Sequence, residues 1–198
     1  LFACVGGDIR GYSTVDGVEV FDLALGATFL NGITSDGHDL YATDFSAKKV
    51  FKVDPDAQSF TTLVANTGST PNGIVWDPQT ERLWVVCWGS NAKIKSYDRA
   101  TGMELSSFTS DLTNLDGVAL DCQGRILVSS WSPTRITRYE STFTQPAVDL
   151  QVAGLNNPAD LDYDTVNDWL CVPSGGNNTV ILEPVTGCAT GITAPNSY

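Results

Sequence analysis

Five stretches of the chain superimpose: "LFACVGGDIRGYS", "LYATDFSAKKVFKVD", "LWVVCWGSNAKIKSYD", "ILVSSWSPTRITRYE" and "LCVPSGGNNTVILEP". They begin at Leu1, Leu40, Leu83, Ile126 and Leu170, a period of about 43 residues. Each holds two short strands around a polar loop containing Gly or Ser, and four of them close near an acidic residue: Asp54, Asp98, Glu140 or Glu183. Four copies are preceded by a further extended stretch, "NGITSDG", "NGIVWDP", "DGVALDC" and "ADLDYDT". Three are followed by another, "SFTTLVA", "ELSSFTS" and "AVDLQVA". The unit is therefore four strands, A to D, each about 4 to 7 residues long and joined by tight turns. No segment of helical length carries a period of 3.6.

A four-stranded unit recurring at this period predicts an all-β chain, a β-propeller, because one such sheet cannot cover both faces and must stack on its neighbours. A sandwich would suit the strands but would not require the shared register. The expectation is one propeller domain over residues 1–198 with five visible blades. The first copy lacks strand A. Either the ring is five-bladed, with "APNS" near Asn196 helping to close it, or it is six-bladed and lacks part of its N-terminal region.

Composition narrows the partners. A net charge of −12 disfavours nucleic acid and anionic membranes, which need clustered Lys and Arg. No apolar run approaches the roughly 18 residues of a membrane span. No signal-peptide leader is visible, and the first residue is not Met, so a processed or incomplete N-terminus is expected. The five cysteines, Cys4, Cys87, Cys122, Cys171 and Cys188, show no C-x-x-C spacing, which argues against zinc and for small buried thiols. The sole histidine, His38, falls in an A-to-B turn, leaving none for a Ser-His-Asp triad. Asn177-Asn178-Thr179 matches a short glycosylation acceptor, a pattern that chance supplies often.

Two repeat positions carry the interest. Asn31, Asn72, Asp116 and Asp160, with Asn196 as a candidate fifth, recur at spacings of 41, 44 and 44 residues at the start of strand A. In a propeller these side chains would gather at one mouth of the central channel. Phe45, Trp88 and Trp131 hold one position of strand B in three consecutive blades and would form an aromatic wall beside that polar ring. Two readings stand for each set: Asn-Gly and Asp-Gly can simply shape the entry to a strand, and the aromatics can pack between blades. Oxygen donors around one axis also suit a hard divalent cation, and a carboxylate at its edge suits a general base.

"PNGIVWDPQTERLWV" and "LDGVALDCQGRILVSSW" resemble consecutive blades of the gluconolactonase, regucalcin and LRE-like family of β-propellers, whose rhythm NHL-type propellers share. "NNPADLDYDTVNDWLCVPSGGNNTV" is similar to bacterial members, many of them exported, which implies a periplasmic or extracellular location. The resemblance implies hydrolysis of a sugar lactone with a divalent metal, calcium first and zinc, magnesium or manganese as alternatives. It implies that Asn72 and Asp116 bind the metal, that Asp116 is catalytic, and that a first-blade Glu completes the set. No "EGP" or "PES" motif supplies that Glu here, so Asp160 is its candidate substitute. Asn31, Phe45, Trp88 and Trp131 would then shape the substrate pocket. The competing expectation is a non-catalytic propeller that binds a small ligand or a partner protein.

Overall fold

The computed structural model describes residues Leu1–Val185. Eighteen strands and no helix occur among them, so no helix there is long and apolar enough to cross a membrane. The alternating buried and exposed positions of the repeat explain this, since a period of two places one face of each strand on a neighbouring sheet.

The strands form five antiparallel sheets, the blades of a β-propeller. Blade 1 is β1 (Phe2–Val5), β2 (Asp8–Tyr12) and β3 (Glu19–Ala24), with no strand A among the described residues. Blade 2 is β4 (Leu30–Ser35), β5 (Leu40–Asp44), β6 (Lys49–Asp54) and β7 (Ser59–Val64). Blade 3 is β8 (Thr70–Asp77), β9 (Arg82–Trp88), β10 (Lys93–Asp98) and β11 (Glu104–Thr109). Blade 4 is β12 (Thr113–Leu120), β13 (Ile126–Ser132), β14 (Thr134–Tyr139) and β15 (Val148–Leu150). Blade 5 is β16 (Asp162–Asp164), β17 (Trp169–Ser174) and β18 (Thr179–Pro184). Asn196 and Cys188 lie outside the described residues.

Contacts divide the chain into two compact units, Leu1–Leu115 and Asp116–Tyr198. In the first, Ile9, Leu30, Leu40 and Phe51 seal blade 1 to blade 2, and Tyr41, Val50, Leu83 and Tyr97 seal blade 2 to blade 3. In the second, Leu127, Ile136, Leu161, Leu170 and Val172 join blades 4 and 5. Each of the Ile, Leu, Val and Phe side chains among these contributes about 1.5–3 kcal/mol of burial free energy.

A second recurring residue stabilises the far ends of the A strands. Asp36, Asp77, Asp121 and Asp164 each accept two backbone N–H groups from the following turn through Oδ1. Turn donors that would otherwise go unmet are thereby satisfied. Asp36 does more: Tyr41 Oη (2.9 Å) and Arg99 Nη1 (2.8 Å) both donate to its Oδ2, and the Arg99 guanidinium lies over the Trp76 ring at 5.1 Å. Burial pushes the Asp36 carboxyl up, but the Asp39 and His38 amides, Tyr41 and Arg99 together hold it down at about 2.

The cysteine expectation needs correction. Cys4, Cys87 and Cys171 are thiols outside any disulfide, but Cys122 is disulfide-bonded. Spacing alone hid this, because a disulfide depends on proximity in space and not on a local motif. His38 is exposed in its turn beside Asp39, as the sequence predicts.

Candidate functional site

Asn31-Gly32 and Asn72-Gly73 do not form turns; they lie inside β4 and β8. At both places the ladder gains a residue, between Leu30 and Ile33 and between Pro71 and Ile74. A β-bulge of this kind re-aims a side chain out of the normal alternation. The Asn31 amide donates to Asn72 Oδ1, and the Asn72 amide donates to the Leu115 carbonyl at 3.0 Å. Asn31 is exposed, whereas Asn72 is only 2% exposed. The side-chain oxygen of Asn72 therefore turns to the preceding blade and not to its own loop.

Gly32 permits that approach. A Cβ there would stand 2.6 Å from the Asn72 carbonyl oxygen and 2.9 Å from the Ile74 nitrogen. The buried Thr43 hydroxyl then closes the junction, accepting from the Gly32 N–H (2.9 Å) and donating to the Asn72 carbonyl (2.6 Å). A small residue after the polar one is thus a packing requirement between adjacent inner strands.

The second unit repeats the design with acids. A Cβ on Gly117 would stand 2.6 Å from Asp160 Cα and 2.7 Å from the Leu161 nitrogen, so the backbone after Asp116 touches the backbone of Asp160. Asp160 lies in a gap of the ladder, between an isolated bridge at Pro158 and the start of β16 at Asp162, so the strand expected over "ADLDYDT" is shorter than its pattern suggests. Part of the reason is local: Asp160 Oδ1 accepts the Leu161 N–H at 3.0 Å, drawing that donor from the sheet. Solvent reaches Asp160, yet protein crowds its flanks. That desolvation first, followed by the charges of Asp116 and Asp162, raises its carboxyl to about 6 despite the Leu161 hydrogen bond.

Among the described residues no group of three or more His, Cys, Asp or Glu side chains could hold a metal ion. The charges of Asp116 and of Asp162 each reach Asp160. Their like charge is what a bound cation would relieve, and their oxygens match a hard cation. Asn72 fits less well, because its oxygen already accepts from Asn31.

The aromatic set divides. Phe45 and Trp88 are neighbours, with centroids 6.1 Å apart, and Phe29 joins them edge-on at 5.8 Å from Phe45. Trp131 belongs to the second unit, where its Nε1 donates to the Pro158 carbonyl at 3.1 Å. A cleft of about 580 Å³ on blade 5, lined by Asp162, Asp164, Asn167, Trp169, Cys171 and Leu182, contains none of the predicted site residues. Thr43 and Ser129, which the sequence reading missed, stand two residues before Phe45 and Trp131, and that shared offset was their one visible signal.

Stacked four-stranded blades whose inner strands carry amides in one unit and acids in the other define a β-propeller with a polar inner edge. The chain belongs to the SMP-30/Gluconolactonase/LRE-like family, whose model matches residues 33–145. A solved chain in the crystal structure of a nidogen/laminin complex is similar in fold, with a TM-score of 0.76 and 20% identity, covering 92% of this chain and 73% of that one. No curated protein matches in sequence. In all, 1105 solved chains match, so the fold alone selects no activity.

Proposed function

We propose that the protein is a metal-dependent hydrolase of a sugar lactone or similar small cyclic ester. The observation that carries this reading is the pairing of Asp116 with Asp160, whose backbones meet at Gly117; the Asp160 carboxyl stands at about 6, raised first by desolvation and then by the charges of Asp116 and Asp162. Family membership supports it. Ionised Asp116 and Asp160 would hold the cation. A bound divalent cation supplies Lewis-acid polarisation of a carbonyl and a lowered pKa for water. Asp116 accepts a proton from the attacking water, work that suits a carboxylate held near the reacting atoms. Asp160 must be ionised to serve, and a bound cation would favour that form. Secretion to the periplasm or the outside belongs to the same proposal, and disulfide-bonded Cys122 supports it, since disulfides persist in oxidising compartments.

A non-catalytic binding propeller is the second reading. Its support is the absence, among the described residues, of a three-residue His, Cys, Asp or Glu cluster, together with the engaged oxygen of Asn72. The similar solved propeller comes from a protein–protein complex. Turnover of five- and six-membered sugar lactones, with Ca²⁺, Zn²⁺, Mn²⁺ or Mg²⁺ and again after chelation, separates the two. Metal-dependent hydrolysis supports the enzyme; no turnover with any of the four cations overturns it.

A further inference from the structure

Asp160 occupies the least regular piece of inner strand among the described residues. The ladder on either side is one isolated bridge, Pro158 with Ser174, and a three-residue strand that begins at Asp162. Pro158 has no N–H to add. The Ala159 N–H ties this segment to β17 through Pro173 O at 2.8 Å, and β13 supplies further bonds. Ser129 and Trp131 are two residues apart and so project from one face of that strand.

Their bonds fall on consecutive carbonyls. Trp131 Nε1 donates to Pro158 O at 3.1 Å, and Ser129 Oγ donates to Ala159 O at 2.7 Å. The same Ser129 oxygen accepts the Gly117 N–H at 2.7 Å. One hydroxyl, 0% exposed, thus ties the residue after Asp116 to the residue before Asp160. Thr43 makes a similar bridge in the first unit, from the Gly32 N–H to the carbonyl of Asn72, one repeat position further along. Phe45, at the same repeat position as Trp131, has no N–H with which to make such a bond.

We propose that Ser129 and Trp131 are positioning residues: a clamp from β13 that fixes the Pro158–Asp160 backbone and so sets where Asp160 presents its carboxylate to Asp116. The inference rests on the proposed function for its consequence, since a clamp on one ligand governs how well a cation is held. It assigns Trp131 a role through its N–H, not as a wall against substrate.

Trp131→Phe keeps the ring and removes only the donor. Ser129→Ala removes the bridge, and Ser129→Thr restores it. Calorimetric titration of the metal-free full chain with Ca²⁺ is expected to show about tenfold weaker binding for Ser129→Ala and for Trp131→Phe, the scale on which groups orienting a metal ligand act. Ser129→Thr is expected to bind like the parent. In the same metal-free samples, amide exchange of Leu161, whose N–H donates to Asp160 Oδ1, is expected to quicken about tenfold in Ser129→Ala, as for loss of one hydrogen bond. Parental Ca²⁺ affinity in both Ser129→Ala and Trp131→Phe makes the pair merely structural and overturns the proposal. If the parent binds no Ca²⁺, the metal reading fails by itself and Leu161 decides the clamp: quickened exchange in Ser129→Ala with recovery in Ser129→Thr sustains it, and unchanged exchange overturns it.

Discussion

The side-chain amide of Asn31 donates to the side-chain oxygen of Asn72, linking the inner strands of blades 2 and 3. Asn72 passes the link on through its own amide to the Leu115 carbonyl, 3.0 Å away. Because Asn72 is buried, its removal strands that carbonyl. Asn72→Ala should cost about 2 kcal/mol of stability, and Asn31→Ala, at an exposed site, less. Urea unfolding of the two variants checks the order.

Gly117 and Gly175 offer a contrast between two glycines of one unit. A Cβ at position 117 meets Asp160 backbone at 2.6 Å, whereas at 175 its nearest neighbour is 3.6 Å away. Gly117→Ala is expected to lose about 2–3 kcal/mol, because backbone atoms must move. Gly175→Ala should stay within about 0.5 kcal/mol of the parent. Equal midpoints in denaturant would contradict the close approach described at Gly117.

Asp36 couples stability to acid. Its carboxyl is held at about 2 against an ordinary value of 3.8, and its side chain is 5% exposed. A lowered pKa adds stability above the ordinary value, and that stability drains away as pH falls from about 4 through 2. Thermal melts over that range should show Asp36→Asn lacking about 2 kcal/mol of the parental acid sensitivity.

Asp160 behaves in the opposite sense. With its carboxyl raised to about 6, the protonated form is favoured in the fold, so metal-free stability declines as pH climbs from about 4 through 6. Asp160→Asn should melt at a higher temperature than the parent at pH 7 and match it near pH 4. A lower melting temperature for Asp160→Asn at pH 7 would contradict the raised pKa.

The blade rhythm was legible in the sequence because strand alternation and turn residues are local properties. So was the polar position at the start of each A strand. Its local structure was not: "PNGIVW" reads as a turn, and only the neighbouring blade shows that Gly32 and Gly117 permit backbone contact. Trp131 looked interchangeable with Phe45 and Trp88, because residue type gives no hint that an indole N–H meets Pro158. The row of turn acids, Asp36, Asp77, Asp121 and Asp164, stood inside the quoted repeats and was readable at fixed spacing. The disulfide at Cys122 left no local signature.

The most direct test is the initial rate of sugar-lactone hydrolysis by the parent and by Asp116→Asn, at pH 7.5 in about millimolar Ca²⁺ and again after chelation. The account predicts turnover by the parent that chelation abolishes, and a loss of at least about a hundredfold in Asp116→Asn, the scale of a missing general base. Equal rates for parent and Asp116→Asn, or undiminished turnover without metal, would contradict it.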